Sequence, residues 1–445
     1  MREGDGVVDG VRRSFSRTGG RRWAAGLSLG VATALAVATT SGLATAQVPP
    51  ARAAHQARTA ALPALGDAEQ AFGLSLLART TAAEPTGDVT VSPLSLADAL
   101  AMLENGAAGT TLEQIAATLD TSALTPAEQD AAWSAMTSSL TASARRGGIS
   151  LDSANGLWLQ AGFPLRAAFT EAIRRFFGAG VSSADFAHDL AGALAAINAW
   201  VSLHTAGKIT RLFGPGQVSS ATRLVLASAV YFHAAWEDPF DPSRTVPGPF
   251  FLPARSGTAG ATSAQVELMT GTVSGAAATT SYDVALLPYR GGSDEAVVVM
   301  PLHESLPAFI DTLDPARLGA IVSSAPAPGL IELPRFTTTS DLDLVPTLTA
   351  MGMPDAFSAT ADLSSLSPTP TSVQSVVQRD YLKVAEAGTE AAAATGIAVA
   401  PTAVAPTTRA IVFDHPFVFL IRNVTTGALL FASAVENPSP SAAAP

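Results

Sequence analysis

Apolar positions along this chain follow two regimes. In the first half they recur at helical spacing. Leu96, Leu100 and Leu103 stand at i, i+4 and i+7 behind a capping-box-like pair, Ser95 and Asp98, and Gly106 supplies a stop. Ala71, Leu74 and Leu77 mark a helix over 68–77. The same spacing continues through 112–119, 126–143 and 166–177, and Ile197, Trp200 and Val201 share one side of 191–204. From Leu224 onward the apolar residues gather into short unbroken runs at 224–226, 229–232, 284–287 and 296–300, bounded by Pro, Gly or charge. At that length such runs indicate buried strands. Residues 89–91, 157–159 and 381–384 are also strand-like. A late helix is expected over 342–351, closed by Gly352, and a C-terminal hairpin joins 417–421 to 429–432 across Thr425-Thr-Gly427. Helices in front and strands behind, with no internal repeat or interior linker, predict one large α+β domain over 65–438.

The ends read differently. Arg12, Arg13, Arg21 and Arg22 precede an apolar run over 23–39, and Ala44-Thr-Ala46 offers small residues for cleavage before Gln47. The expectation is a signal peptide over 1–46. The competing reading, a permanent membrane span, is disfavoured by a run that is short and rich in Gly and Ala. Arg12-Arg-Ser-Phe15 is similar to a twin-arginine export signal, so Sec and twin-arginine export both stay open. Residues 47–64 read as a disordered Pro/Ala-rich lead-in and 439–445 as a disordered tail. Export signal and Ala-rich composition together look bacterial.

Composition narrows the chemistry. The 445 residues are 48% hydrophobic and 14% charged with a net charge of -11, which suits a large core and disfavours nucleic acid. Without cysteine there is no disulfide, thiolate nucleophile or thiolate metal site. No G-x-S-x-G, H-E-x-x-H, P-loop or dinucleotide fingerprint is present. The six histidines, at 55, 188, 204, 233, 303 and 415, lack ligand spacing, and His204 and His233 read as core or boundary residues. Asn423-Val-Thr425 fits a glycosylation acceptor. No enzyme activity, cofactor or metal is expected. One stretch stands apart: residues 386–405 are small and mostly uncharged, show no helical stripe, and lie between two core strands. A connection of that length is either functional or a linker.

Read in order, many short segments resemble one family. Ser92-Pro-Leu-Ser95 with Ala99-Leu-Ala-Met102, Leu157-Trp158, Ile197-Asn-Ala-Trp-Val201 and Gly207-Lys-Ile209 resemble the early part of the serpins. Tyr231-Phe232, Trp236, Phe240-Asp241, Thr245, Leu287-Pro-Tyr289, Leu333-Pro-Arg-Phe336, His415-Pro-Phe417 and Pro438 continue the likeness to the end. The resemblance implies the serpin fold: a single large domain with a helical N-terminal part, three β-sheets and an exposed reactive-centre loop, here about 386–409. Glu386, Gly388, Thr389, Glu390, Ala391, Ala392, Ala393, Ala394 and Thr395 are similar to the loop's hinge. Ser92, Pro93, Ser95, Ser228, Trp236 and Gln378 fall where the family's central sheet opens. Ser228 and Gln378 replace the family's usual asparagine and histidine there, and Ser433 a usual glycine.

What the resemblance implies is an inhibitor of serine proteases acting as a suicide substrate. The loop is cleaved, an acyl-enzyme forms, and the loop inserts into the central sheet before the ester hydrolyses. An inserting strand must alternate faces. With Thr389 inward, the buried set is Thr389, Ala391, Ala393, Thr395, Ile397 and Val399, all small or β-branched. Counting as the family does places the scissile residue at Thr402. Pro401 and Pro406 disfavour neighbouring bonds, leaving Thr402–Ala403 first and Ala403–Val404 second, baits that suit elastase-like or subtilisin-like proteases. The expected partner is a target protease in a covalent complex, with no nucleic acid, no membrane once the signal is removed, and a monomeric inhibitor. The alternative is a non-inhibitory serpin-fold binding protein.

Overall fold

The computed structural model describes residues 50–84, 87–177, 181–214, 216–252, 262–389 and 409–438. The first half holds helices α1 (Pro50–Ala83), α2 (Pro93–Glu104), α3 (Gly109–Thr118), α4 (Pro126–Gly147), α5 (Ala167–Ala172) and α6 (Leu190–His204). Strands β1 (Val89–Val91), β2 (Ser150–Gln160) and β3 (Ser182–Ala184) are interleaved with them. Then come β4 (Leu224–Ala235), β5 (Val246–Phe251), β6 (Ser263–Val273), β7 (Gly275–Ala278), β8 (Tyr282–Pro288) and β9 (Asp294–Pro301). Helices α7 (Leu306–Asp311) and α8 (Pro315–Ser323) lead to β10 (Gly329–Pro334), β11 (Phe336–Asp343) and α9 (Val345–Ala350). The chain closes with β12 (Ser375–Ala385), β13 (Gly388–Thr389), β14 (Ile411–Val412), β15 (Phe417–Asn423) and β16 (Leu429–Val435).

The strands form three sheets, ordered β1-β16-β15-β9-β8-β7, β14-β10-β6-β5 and β11-β12-β13-β4-β2-β3. The last is the central one. Its middle strand β4 is buried along almost its whole length because both faces are covered. Leu224, Leu226, Val230 and Phe232 face the main core, which α2 enters with Leu96, Leu100 and Leu103. Val225, Ala227 and Ala229 point the other way, against Ile197 and Val201 of α6. Helix α6 therefore covers the outer face where β4, β2 and β12 meet.

Several expectations are corrected here. Residues 50–64, read as a disordered lead-in, belong to α1. Their many alanines favour helix, and Pro50 takes the first position, where no N–H is needed. Leu342 lies in β11 and is not helical; the helix begins at Val345. Ser95 and Asp98 make no capping box, because α2 starts at Pro93 with Ser92 as the flanking residue. The capping box lies instead at Thr125 and Glu128, ahead of α4. His204 is exposed and bonded to the Trp200 carbonyl, so it is not a core residue. Asn423 is fully buried, its amide donating to the Ser293 carbonyl and to Asp294 Oδ1, and it cannot accept a glycan in this fold.

Candidate functional site

The two centre strands, β4 and β12, pair in parallel from Ser375 opposite Val225 to Tyr381 opposite Tyr231. Above that point they diverge, and β13 fills the gap. Thr389 pairs with Val384 on one side and Ala234 on the other; Gly388 pairs with Ala385 and Ala235. The first residues of the small-residue stretch are thus already a strand inside the sheet. Only glycine fits at 388. A Cβ there would lie 2.0 Å from the Ala234 carbonyl oxygen, and its φ is +153°.

The hinge is clamped from several sides. Thr389 is fully buried, and its hydroxyl shares a hydrogen bond of 2.5 Å with Tyr289. Tyr289 stacks on Trp236 at 4.4 Å, and the indole N–H of Trp236 donates to the Ala385 carbonyl at 2.9 Å. Glu386 sits in the turn just before β13. Its carboxylate is ion-paired with Arg335 and accepts from Thr245 Oγ1 at 2.7 Å. Burial pushes this carboxyl up, but the bonds from Arg335 and Thr245 outweigh it, leaving Glu386 below the ordinary glutamate value.

Beneath the closed part of the sheet lies a polar cluster. Gln378 and Ser228 are registered partners on β12 and β4, both buried, and Gln378 Nε2 donates to Ser228 Oγ at 3.2 Å. The same amide donates to the Ser92 carbonyl at 2.9 Å, and Ser92 N donates back to Gln378 Oε1 at 3.3 Å. The Ser92 hydroxyl donates to the Leu430 carbonyl at 2.7 Å, while Pro93 is buried as the first residue of α2. Ser95 and Ser228 are 2.8 Å apart, and Ser95 donates to Asn155 Oδ1. Since the Ser95 proton goes to Asn155, Ser228 must donate to Ser95. Asn155 Nδ2 in turn donates to Asp98 Oδ2 at 3.4 Å. Donors therefore point one way, Gln378 to Ser228 to Ser95 to Asn155 to Asp98. Burial raises the Asp98 carboxyl to about 6 against the bond from Asn155.

Sequence reasoning picked out Ser92, Pro93, Ser95, Ser228, Trp236, Gln378, Glu386, Gly388 and Thr389, and the structure brings these into two adjoining clusters. It missed Arg335, Thr245, Tyr289 and Asn155, although Arg335, Thr245 and Tyr289 stand in stretches that carry the resemblance. Asp98 was noticed only as a helix cap. Glu390, Ala391, Ala392, Ala393, Ala394, Thr395, Thr402, Ala403 and Val404 lie outside the described residues, as do 1–46 and 439–445.

A six-stranded sheet with a short strand seated between the upper parts of its two centre strands frames the site. The family described as Serpin (serine protease inhibitor) matches residues 67–438, and the chain belongs to it. Most members of that family inhibit proteases, and they are not enzymes. Among similar proteins, Serpin-ZXA of Oryza sativa subsp. japonica is 32% identical over 397 residues, covering 83% of this chain and 96% of that one. Neuroserpin of Gallus gallus is 31% identical over 369 residues, covering 80% and 88%. Among solved structures, human thyroxine-binding globulin complexed with thyroxine aligns with a TM-score of 0.75 at 25% identity, over 85% of this chain and 99% of that chain. Among the described residues no helix is long and apolar enough to cross a membrane.

Proposed function

We propose that this chain is a secreted inhibitor of elastase-like or subtilisin-like serine proteases, working by loop cleavage, acyl-enzyme formation and insertion of the loop between β4 and β12. The observation that carries this reading is β13: the hinge already occupies the first two positions of the missing strand. Extending its register by six residues sets Thr395 between Gln378 and Ser228. Its hydroxyl then takes up the hydrogen bond that those two share in the closed sheet. Ala391 and Ala393 would lie in the same row, where small side chains avoid overpacking. Residues 1–46 act as the export signal in this reading, the basic start and Ala-rich composition marking a bacterial secreted protein that works as a monomer.

Insertion of about ten residues adds a similar number of ladder hydrogen bonds at roughly 0.5–1.5 kcal/mol each, on the order of 10 kcal/mol in all. That equals the whole stability of an ordinary domain, so the closed form is held by a kinetic barrier. Fourteen extended residues from Thr389 to Thr402 span about 45 Å, which sets how far an attached protease is carried. The chain supplies bait and spring; the attacking serine belongs to the target.

Thyroxine-binding globulin shows that this fold also serves ligand carriage. Gly388 and Thr389, seated in the sheet and followed in sequence by a run of small residues, favour inhibition over that second reading. Mixing the purified chain with an elastase-like and a subtilisin-like protease decides between them. An SDS-stable complex, with a released peptide beginning at Ala403, is expected. Cleavage without a complex selects the non-inhibitory reading.

A further inference from the structure

Between α2, α4 and β2 lies a cavity of about 350 Å3, a volume typical of small-molecule sites. Exposed Thr137, Thr141 and Arg145 frame its mouth. Leu94, Leu140, Ile149, Leu151, Val230 and Leu430 supply its apolar wall, and Ser92, Ser95 and Asn155 of the junction cluster line it beside them. Asp98 is the anionic side chain in its lining, and among the described residues it makes one hydrogen bond, to the neutral Asn155, and no ion pair. A buried carboxylate held by one neutral partner is costly unless a cation meets it. Neither the hinge clamp nor loop insertion uses the space.

We propose that this cavity binds a small primary amine with an aromatic or branched aliphatic body, its ammonium on Asp98, and that occupancy holds the β4–β12 junction closed. A single carboxylate gives a bare metal ion too few anionic ligands here, and the apolar wall favours a hydrophobic body on the ligand. A carboxylate ligand would face Asp98 at depth, while Arg145, on an exposed turn, keeps its hydration and offers an anion little. The second half of the proposal rests on the inhibitory reading above. Asp98 ends the donor chain that begins at Gln378 on β12 and passes through Ser228 on β4. An ammonium ion on Asp98 fixes Asn155, Ser95 and the two sheet residues in their closed arrangement. Parting the strands then requires breaking a chain anchored at both ends.

The test uses 2-phenylethylamine as probe and 3-phenylpropanoate as its anionic counterpart, titrated calorimetrically into the full chain at neutral pH. Saturable one-to-one binding of the amine is expected, with at least tenfold weaker binding of the acid. Asp98→Asn keeps the shape and weakens the amine about tenfold or more, the scale of a lost charge-assisted hydrogen bond. Leu140→Trp fills the cavity from α4, leaves Asp98 on α2 in place and abolishes binding. An amine that binds Asp98→Asn as tightly as the parent, an acid that binds as well as the amine, or no saturable binding overturns the site. For the coupling, saturating amine is expected to slow formation of the SDS-stable protease complex severalfold in the parent and leave Leu140→Trp unaffected; equal rates in the parent refute it. If no protease yields a complex, the inhibitory reading fails while the amine titration still judges the cavity.

Discussion

Thr389→Arg tests the insertion geometry most directly. Thr389 is fully buried between β12 and β4, with its hydroxyl on Tyr289. An arginine there either buries its charge, at an effective penalty of several kcal/mol, or leaves the sheet. Leaving gives up the pairing of Gly388 and Thr389 with both neighbours and the bond to Tyr289. At about 1 kcal/mol for each hydrogen bond lost, this escape costs several kcal/mol. The closed form meets that cost by releasing the hinge, and insertion must then force the arginine back between β12 and β4 against its burial penalty, so insertion slows while hydrolysis of the acyl-enzyme is untouched. The variant becomes a substrate. Titration of an elastase-like protease should show the number of inhibitor molecules consumed per enzyme inactivated rising at least tenfold, with cleaved loop replacing covalent complex. Thr389→Val, neutral and β-branched, should stay close to the parent. An unchanged stoichiometry in Thr389→Arg would mean that residue 389 does not enter the sheet, and the parity assigned to the loop would fail with it.

Gln378→Ala strands the Ser92 backbone and Ser228 without partners at the closed junction. It should lower the resistance of the native form to urea by about 1–3 kcal/mol. Gly388→Val forces a Cβ onto the Ala234 carbonyl and should expel the hinge, seen as a change in Trp236 fluorescence as its stacked partner Tyr289 loses Thr389. Burial raises Glu69 to about 8, Glu104 to about 7 and Asp98 to about 6. Each folded-state value lies above the unfolded one, so the folded chain binds more protons at these sites, and their contribution to stability is full below about pH 4 and is lost as pH rises toward 8. Urea midpoints should fall between pH 5 and pH 8.5, and Glu69→Gln should flatten that slope.

Much of this was legible because periodicity survives wherever one face is buried. Strand β4 and helix α2 announced themselves through unbroken or i, i+4 apolar residues, and the hinge through its run of small side chains. What stayed hidden lacked such a signal. β13 is only Gly388 and Thr389, and no pattern two residues long can report a strand. β11 alternates with Thr338 and Ser340 on its buried face, which pack against Thr90 through hydroxyl contacts and leave no hydrophobic trace. Ser95 and Asp98 carry the spacing of a helix cap, yet their side chains serve the sheet junction, a purpose visible only once β2 and β4 lie above them. Arg335 and Thr245 reach Glu386 across more than fifty residues of chain, and no local reading links them.

The junction between β4 and β12 has one more consequence. It is parallel, and parallel ladders are slightly weaker per residue than antiparallel ones. β13 runs antiparallel to both strands, so each residue it advances exchanges one weaker pairing for two stronger ones. The sheet thus has a built-in fault line whose repair is autocatalytic in direction, each step opening the site for the next. A fault line does not distinguish the chain's own loop from the same segment of a second copy. Dilute and concentrated samples, warmed gently and run on native gels, should separate the two repairs: a compact monomer in one, ladders of linked copies in the other.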